Sequence, residues 1–275
     1  MPIISVIMGV YNCDNNSELI ESIKSILNQS FKDLELIICD DGSTDDTYDR
    51  LLEISKIDSR IRIIGYKENK GLAYALNECI KVSRGKYIAR QDSDDISLSD
   101  RLEKELRIIE NKNVDIVGTC AVVFNKNGEW GHYNVPEHPE KKDFLWNNPF
   151  IHPTVLMKKS SLQKVNGYLN TKINRRCEDY DLFMRMYADG FRGINIAEYL
   201  YKYKIDEGKK KKRPMKYRID EMRVRYKGFK ELNMLKISTL FFVVKPIIIG
   251  LIPQFIFRKI RGNNYKKKKV ESYNE

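Results

Sequence analysis

The chain is 275 residues long and 42% hydrophobic, enough apolar surface for a buried core, which excludes a globally disordered polymer. Its five cysteines, Cys13, Cys39, Cys79, Cys120 and Cys177, are scattered without a CxxC pair; this excludes a zinc ribbon or disulfide framework and predicts free thiols in a reducing cytosol. The net charge of +11 is lopsided: residues 202–275 hold 22 Lys/Arg against 7 Asp/Glu, so the rest of the chain is slightly acidic and body and tail suit different partners.

From the N-terminus, "IISVIMGV" is a continuous apolar run ending in a polar turn, the pattern of a strand buried on both faces; with no basic lead-in it does not read as a leader peptide. "SELIESIKSILNQS" sets Leu19, Ile20, Ile23, Ile26 and Leu27 on one helical face, with Ser17 as the expected N-cap. "LELIICD" is the second strand, "TDDTYDRLLEIS" a helix with an acidic first turn, "IRIIGY" the third strand, and "GLAYALNECIKVS" a helix leading into the strand "GKYIAR". Such alternation predicts a parallel α/β sheet, whose ligands bind beyond the carboxyl ends of the strands. Three polar motifs fall at those ends: "YNCDNN", "DDGSTDD" and "QDSDD". Past Val114 the pattern is less regular, with strands joined by a turn at Asn127-Gly128 and an amphipathic helix starting near Glu178. No repeat is visible. At Asp206 the composition shifts to "DEGKKKKRPMKYR", the expected border between a body, 1–205, and a tail, 206–275.

"QDSDD" crowds Asp92, Asp94 and Asp95 into four residues. They are either the acidic start of a helix capped by Ser97 or Ser99, or hard oxygen ligands for Mg²⁺ or Mn²⁺. Delivery by a buried strand to the ligand-binding edge favours the second reading. Asp40 and Asp41 of "CDDGSTDD" form a good turn, and equally good acceptors for a nucleobase N–H or a ribose hydroxyl. The place where a dinucleotide fold carries GxGxxG holds "GVYNCDNN" instead, which speaks against NAD.

Taken together, "SVIMGVYN", "LELIICDDGSTDDT", "NKGLAYALNECI", "GKYIARQDSDD" and "CEDYDLFMRM" resemble, in order and spacing, the family 2 inverting glycosyltransferases over residues 1–205. The resemblance implies a GT-A fold, a nucleoside diphosphate sugar donor, most readily a UDP-sugar, and a divalent cation, Mn²⁺ or Mg²⁺. It implies that Val10, Tyr11 and Asn12 contact the base, and that one of Asp40 and Asp41 binds uracil or its equivalent. Asn69, Lys70 and Gly71 would close over the nucleotide. Asp92 and Ser93 would serve the donor, Asp92, Asp94 and Asp95 the metal, and Asp179, with Glu178 beside it, the catalytic base. His152 in "FIHPTV" stands where relatives carry a polar residue near the acceptor; a structural histidine is the other reading. Gly9 replaces the proline common in relatives, a change expected to loosen the turn, and Lys204 or the basic cluster after it would take the part of the diphosphate-binding His or Arg of relatives.

In the tail, "ISTLFFVVKPIIIGLIPQFIF", residues 237–257, is long enough to span a bilayer, but Lys245, Pro246 and Pro253 favour a broken helix lying in the interface, with packing on the body as the remaining choice. The clusters "KKKKR" and "KKKK" would bind anionic lipid rather than nucleic acid, for which no motif is present. The sequence therefore predicts an inverting enzyme on the cytoplasmic face of the bacterial plasma membrane, acting on a lipid-linked saccharide in surface or capsular polysaccharide synthesis. A sugar nucleotidyltransferase should show a Gly-rich loop after the first strand, which is missing, and a silent membrane-bound scaffold is the other alternative.

Overall fold

A computed structural model describes residues 1–205 and 213–252 of the protein. Four parallel strands, β1 (Ile4–Val10), β2 (Leu34–Asp40), β3 (Ile61–Gly65) and β4 (Tyr87–Arg90), lie side by side in the order β3-β2-β1-β4. Between them run α1 (Asn16–Leu27), α2 (Thr47–Ser55) and α3 (Leu72–Val82). The unbroken apolar runs have a simple cause. Val6, Met8, Leu36 and Ile38 pack with α1 and α2, while the alternate residues Ile7, Ile37 and Cys39 pack with α3, so both faces of β1 and β2 are covered. Truncating Ile7 or Leu36, both fully buried, to Ala would cost about 2–5 kcal/mol.

β1 pairs with β2 on one side and β4 on the other, so the strand order reverses there and a crevice opens beyond the strand ends. α3 presses close to that crevice. A Cβ on Gly9 would stand 2.8 Å from Leu72 Cδ1, so the glycine in the expected proline position provides clearance for α3.

The second half of the sheet is mixed. β5 (Ile96–Ser97), α4 (Arg101–Asn111), β6 (Ile116–Asn125), β7 (Gly128–Tyr133), β8 (Leu156–Lys158), α5 (Lys159–Lys164), α6 (Glu178–Ala188) and β9 (Gly193–Lys204) follow in chain order. The sheet continues from β4 as β8-β6-β9-β5, with β8 antiparallel to β4 and the β6–β7 hairpin closed at Asn127-Gly128 as expected. The fold is thus the α/β architecture predicted, parallel in its first half.

Three local expectations change. Asn15, not Ser17, caps α1, its Oδ1 accepting from the N–H groups of Ser17 and Glu18; two short polar residues two apart compete for one cap, and the chain enters the helix at the first. Neither Ser97 nor Ser99 caps α4. Asp100 holds that position without a side-chain capping bond, and Ser97 is instead in β5, paired with Tyr201 of β9. Finally, α6 is buried nearly all round rather than amphipathic, because a further helix covers its second side.

That cover is α7 (Met215–Glu231), followed by a 3-10 turn at Ile237–Thr239 and α8 (Leu240–Leu251). Gly228 of α7 meets Met184 of α6, where a Cβ would fall 2.4 Å from the sulfur. Val224, Phe229, Leu232 and Val243 join the apolar cluster of α3 and α6, so 215–251 pack on the body. Among the described residues no helix is long and apolar enough to cross a membrane. The rest of the 237–257 run and the predicted basic clusters, bar Arg213, lie outside the described residues. All five cysteines are free; four are buried, and Cys13 is half-buried beside the turn after β1.

Candidate active site

The turns after β1 and β2 are tied together. Asn12, at a φ of 43°, donates its N–H to Ser43 Oγ at 2.9 Å, and its Oδ1 accepts from Thr44 N at 2.8 Å. Asp40 ends β2 buried, accepting from Ser43 N at 3.0 Å and from Ser43 Oγ at 2.5 Å. Asp41, 4% exposed, is the knot between this turn and the one after β3. It accepts from Tyr66 OH at 2.6 Å, Asn69 Nδ2 at 2.9 Å, Lys70 N at 2.8 Å and Gly71 N at 2.9 Å. Gly71, at a φ of 93°, supplies the left-handed bend that brings its N–H there. Lys70 Nζ lies over the rings of Tyr66 and Tyr74, 5.2 and 4.6 Å from their centroids. Both members of the pair assigned to the base thus carry internal bonds, Asp40 to Ser43 and Asp41 to the loop that holds Asn69, Lys70 and Gly71.

These turns wall a cavity of about 460 Å³, lined among others by Val10, Tyr11, Asp41, Asn69, Gly71 and Glu178. Tyr11 presents an exposed ring at its mouth. Arg175 and Arg176, in the turn before α6, and Tyr217 of α7 also line the cavity, none of which the sequence reading singled out. The Arg176 guanidinium sits 5.4 Å from the Tyr217 ring centre.

The segment after β4 stands next to this cavity rather than lining it. Arg90 is 1% exposed and forms an ion pair with Asp92, whose carbonyl also accepts from Ser22 Oγ at 2.7 Å. Ser93 is half-buried beside it. Asp95, 1% exposed, is turned toward β9: its Oδ1 accepts from Lys204 N at 2.7 Å, while Oδ2 is buried without a hydrogen bond. Burial, with the charges of Asp92 and Asp94, pushes its carboxyl well up. Asp94 is exposed at its surface yet crowded by protein, and desolvation followed by the Asp92 charge raises it too, with the Lys204 ammonium acting in the opposite sense. That ammonium pairs with Glu18 at 2.5 Å.

Among the described residues no group of three or more His, Cys, Asp or Glu side chains is arranged to hold a metal by itself. The orphaned Asp95 oxygen and the crowded, accessible Asp94 are nonetheless hard donors whose repulsion a divalent cation relieves. The set fits a cation that takes its remaining ligands from a substrate's phosphates. It does not fit a closed protein cage.

On the far side, α6 begins with Glu178 and Asp179. Asp179 accepts from Asn148 Nδ2 at 2.8 Å. Burial raises its carboxyl, and the Asn148 bond holds it back; burial and the Asp179 charge push Glu178 up to about 7. His152 is bridged to Tyr168, Nε2 to OH at 2.8 Å, and burial with the Arg90 charge keeps it neutral, so it is a brace inside the wall. Arg90 acts electrostatically on Asp92, His152, Tyr168 and Glu178, a buried cation beneath both carboxylate groups. Neither Arg90 nor Asn148 was marked by the sequence. An arginine closing an apolar strand reads as its solvent end, and "WNNPF" carries no spacing that points 31 residues ahead.

Residues 5–166 match the family model described as Glycosyl transferase family 2. The chain is 40% identical over 280 residues to EpsE of Bacillus subtilis, a protein classed as a glycosyltransferase, covering 100% of this chain and 96% of that one. It is 30% identical over 206 residues, covering 74% and 78%, to WfgD of Escherichia coli, a UDP-Glc:alpha-D-GlcNAc-diphosphoundecaprenol beta-1,3-glucosyltransferase. Among solved structures, the mannosyltransferase PcManGT of Pyrobaculum calidifontis, in complex with GDP-Man and Mn²⁺, superimposes with a TM-score of 0.62 at 16% identity, over 91% of this chain and 74% of that one.

Proposed function

The chain belongs to glycosyl transferase family 2, a glycosyltransferase of GT-A fold, and on that premise we propose that it moves one sugar, with inversion, from a nucleoside diphosphate sugar to a hydroxyl of a lipid-linked saccharide. A UDP-sugar is the first donor to expect and surface or capsular polysaccharide the product, in line with the donor and acceptor named for WfgD. The carrying observation is the Glu178–Asp179 pair at the start of α6, two carboxylates raised by burial. Glu178 lines the cavity that the β1 and β2 turns also wall, and Asp179 stands next to it in the chain, held by Asn148. A carboxylate whose pKa burial has raised takes a proton better than an exposed one.

In this reading Tyr11 stacks on the base, and the base N–H is met by the Asp40–Asp41 pair, of which Asp41 lines the cavity while Asp40 is bonded to Ser43 behind it. Asp41 acts through the loop of Asn69, Lys70 and Gly71, which it holds against the nucleotide. Asp92 and Ser93 face the ribose and diphosphate, and Asp94, with Asp95 behind it, would hold the metal. A divalent cation there, Mn²⁺ or Mg²⁺, would neutralise charge gathering on the departing diphosphate. Asp179, oriented by Asn148, takes the acceptor hydroxyl proton as that oxygen bonds to the anomeric carbon and the bond to the diphosphate breaks on the opposite face. Residues 1–205 form the catalytic body in this assignment and 206–275 the membrane-associating part, on the cytoplasmic face.

The test offers a panel of nucleotide sugars with Mn²⁺ or Mg²⁺ and a lipid-linked acceptor, and reads nucleoside diphosphate release. Transfer that vanishes with chelator and with Asp179→Asn supports the reading. Full transfer by Asp179→Asn removes the base assignment, and no release with any donor leaves the silent scaffold.

A further inference from the structure

The exposed surface of α8 does not look like a surface made for water. Its inner stripe, Val243, Pro246 and Gly250, is buried, and the helix sits so close to α7 that a Cβ on Gly250 would stand 2.6 Å from Arg218 Cδ. The outer stripe is Leu240, Phe241, Val244, Ile248 and Leu251, each 41–71% exposed and all apolar. On an ordinary surface helix that stripe is polar. The single charge in α8, Lys245, turns inward, its Nζ donating to the Trp146 carbonyl and lying 5.0 Å from the Trp146 ring centre. Pro246 cannot donate to the carbonyl one turn back, Phe242 O, and Arg225 Nη1 approaches that oxygen at 3.5 Å instead. α8 is thus fastened from inside, with its apolar side left outward.

We propose that the outer stripe of α8, together with the exposed Trp146, rests on an anionic lipid bilayer and braces the acceptor side of the site there. The inference rests on the lipid-linked acceptor proposed above. At 12 residues α8 is about 18 Å long, too short for a hydrocarbon core of about 30 Å, so it lies along the membrane. Charge chooses the occupant. No acidic residue lies between Glu231 and Glu271, while that stretch holds, besides the inward-turned Lys245, Lys236, Arg258, Lys259, Arg261 and the run 266–269. A tail so basic is drawn to anionic headgroups, by about 1 kcal/mol per residue near the surface, and repels a second copy of itself.

The brace runs through Trp146. Its ring stands edge-on to Phe242 with centroids 4.9 Å apart, and Arg225 binds the carbonyls of Leu145 and Trp146 at 3.0 and 3.4 Å. Two residues further on, Asn148 holds Asp179. A bilayer under α8 and Trp146 therefore steadies the segment that orients the proposed base, at the edge from which a lipid-borne acceptor arrives.

The experiment uses the full chain, vesicles of phosphatidylglycerol or of phosphatidylcholine alone, and the double variant Phe241→Glu/Ile248→Glu, whose sites are exposed and whose folding is checked by circular dichroism. The wild type should float with the anionic vesicles and weakly with the neutral ones; the double variant should bind at least about ten-fold more weakly. Anionic vesicles should raise the wild-type kcat on a soluble saccharide acceptor without changing the donor KM, and should not do so for the variant. Equal flotation of both proteins overturns the surface, and an unchanged kcat overturns the brace. A wild-type dimer that the variant abolishes, without vesicle binding, assigns the stripe to a second copy. If vesicles bind as expected but no nucleotide sugar is turned over, the function falls and the surface stands.

Discussion

The two walls of the site are built differently. On the β1–β3 side the turns are stitched to one another: Asn12 to Ser43 and Thr44, Asp40 to Ser43, Asp41 to four donors on 66–71. On the α6 side the Asp179 side chain leans on Asn148, and both carboxylates are held above their ordinary range because burial outweighs the donors that reach them. A wall whose polar groups satisfy one another keeps its shape before ligand arrives. A wall with buried carboxylates raised above their ordinary range holds protons it can exchange, at some cost in stability. That division suits an enzyme of this family, in which the nucleotide needs a fixed seat and the acceptor side has to exchange a proton.

The largest effect should come from the reactive wall. Asp179→Asn should lower kcat by about 10²–10⁴ with the donor KM little changed, read by nucleoside diphosphate release. Next is the stitched wall. Asp41→Ala strands Tyr66 OH, the Asn69 amide and two backbone N–H groups; these donors are partly exposed and water replaces some of the lost bonds, so the cost in urea unfolding should be about 1–3 kcal/mol in all. Its donor KM should rise far more than kcat falls; the opposite split would mean that Asp41 touches the reacting atoms.

Smaller changes sharpen the contrast through pH. Glu178 is raised to about 7, so kcat/KM should climb as pH rises toward 7 and level off above it, an apparent value that belongs to the pair. Glu178→Gln should move this limb to lower pH. Asn148→Ala removes a bond that favours ionised Asp179, and should move it higher. The same shift has a thermodynamic sign. The folded state holds the Glu178 proton more tightly than the unfolded chain does, so stability falls as pH climbs from 4.5 to about 7, and melting curves of Glu178→Gln should show less of this fall.

The stitched wall was also the more legible one. Its motifs lie at the ends of strands whose apolar runs announce two covered faces, so "YNCDNN" and "DDGSTDD" could be placed beside each other before any coordinates. Local grammar was less secure, since Asn15 and Ser17 are both good caps and only the path of the chain chooses between them. The reactive wall was half legible. Glu178 and Asp179 stood out, but Asn148, Arg90 and Tyr217 reach the site from distant elements by packing, which leaves no periodic trace. The break at Asp206 marked the end of β9, yet composition did not foretell that α7 and part of α8 join the core. Basic and apolar residues read alike whether a helix faces protein on one side or lipid on the other.

The distribution of thiols offers an instrument. Cys13 is the half-buried one of the five, its N–H bonded to Thr47 Oγ1 at 2.9 Å beside the turn that carries Tyr11 and Asn12. Burial raises its pKa, so at neutral pH it is mostly thiol and should be alkylated slowly, while Cys39, Cys79, Cys120 and Cys177 stay protected until the chain unfolds. A fluorophore or spin label added under mild alkaline conditions should therefore settle at one position, next to the proposed nucleotide seat, without any engineered cysteine. The native protein comes with its own reporter site for donor binding.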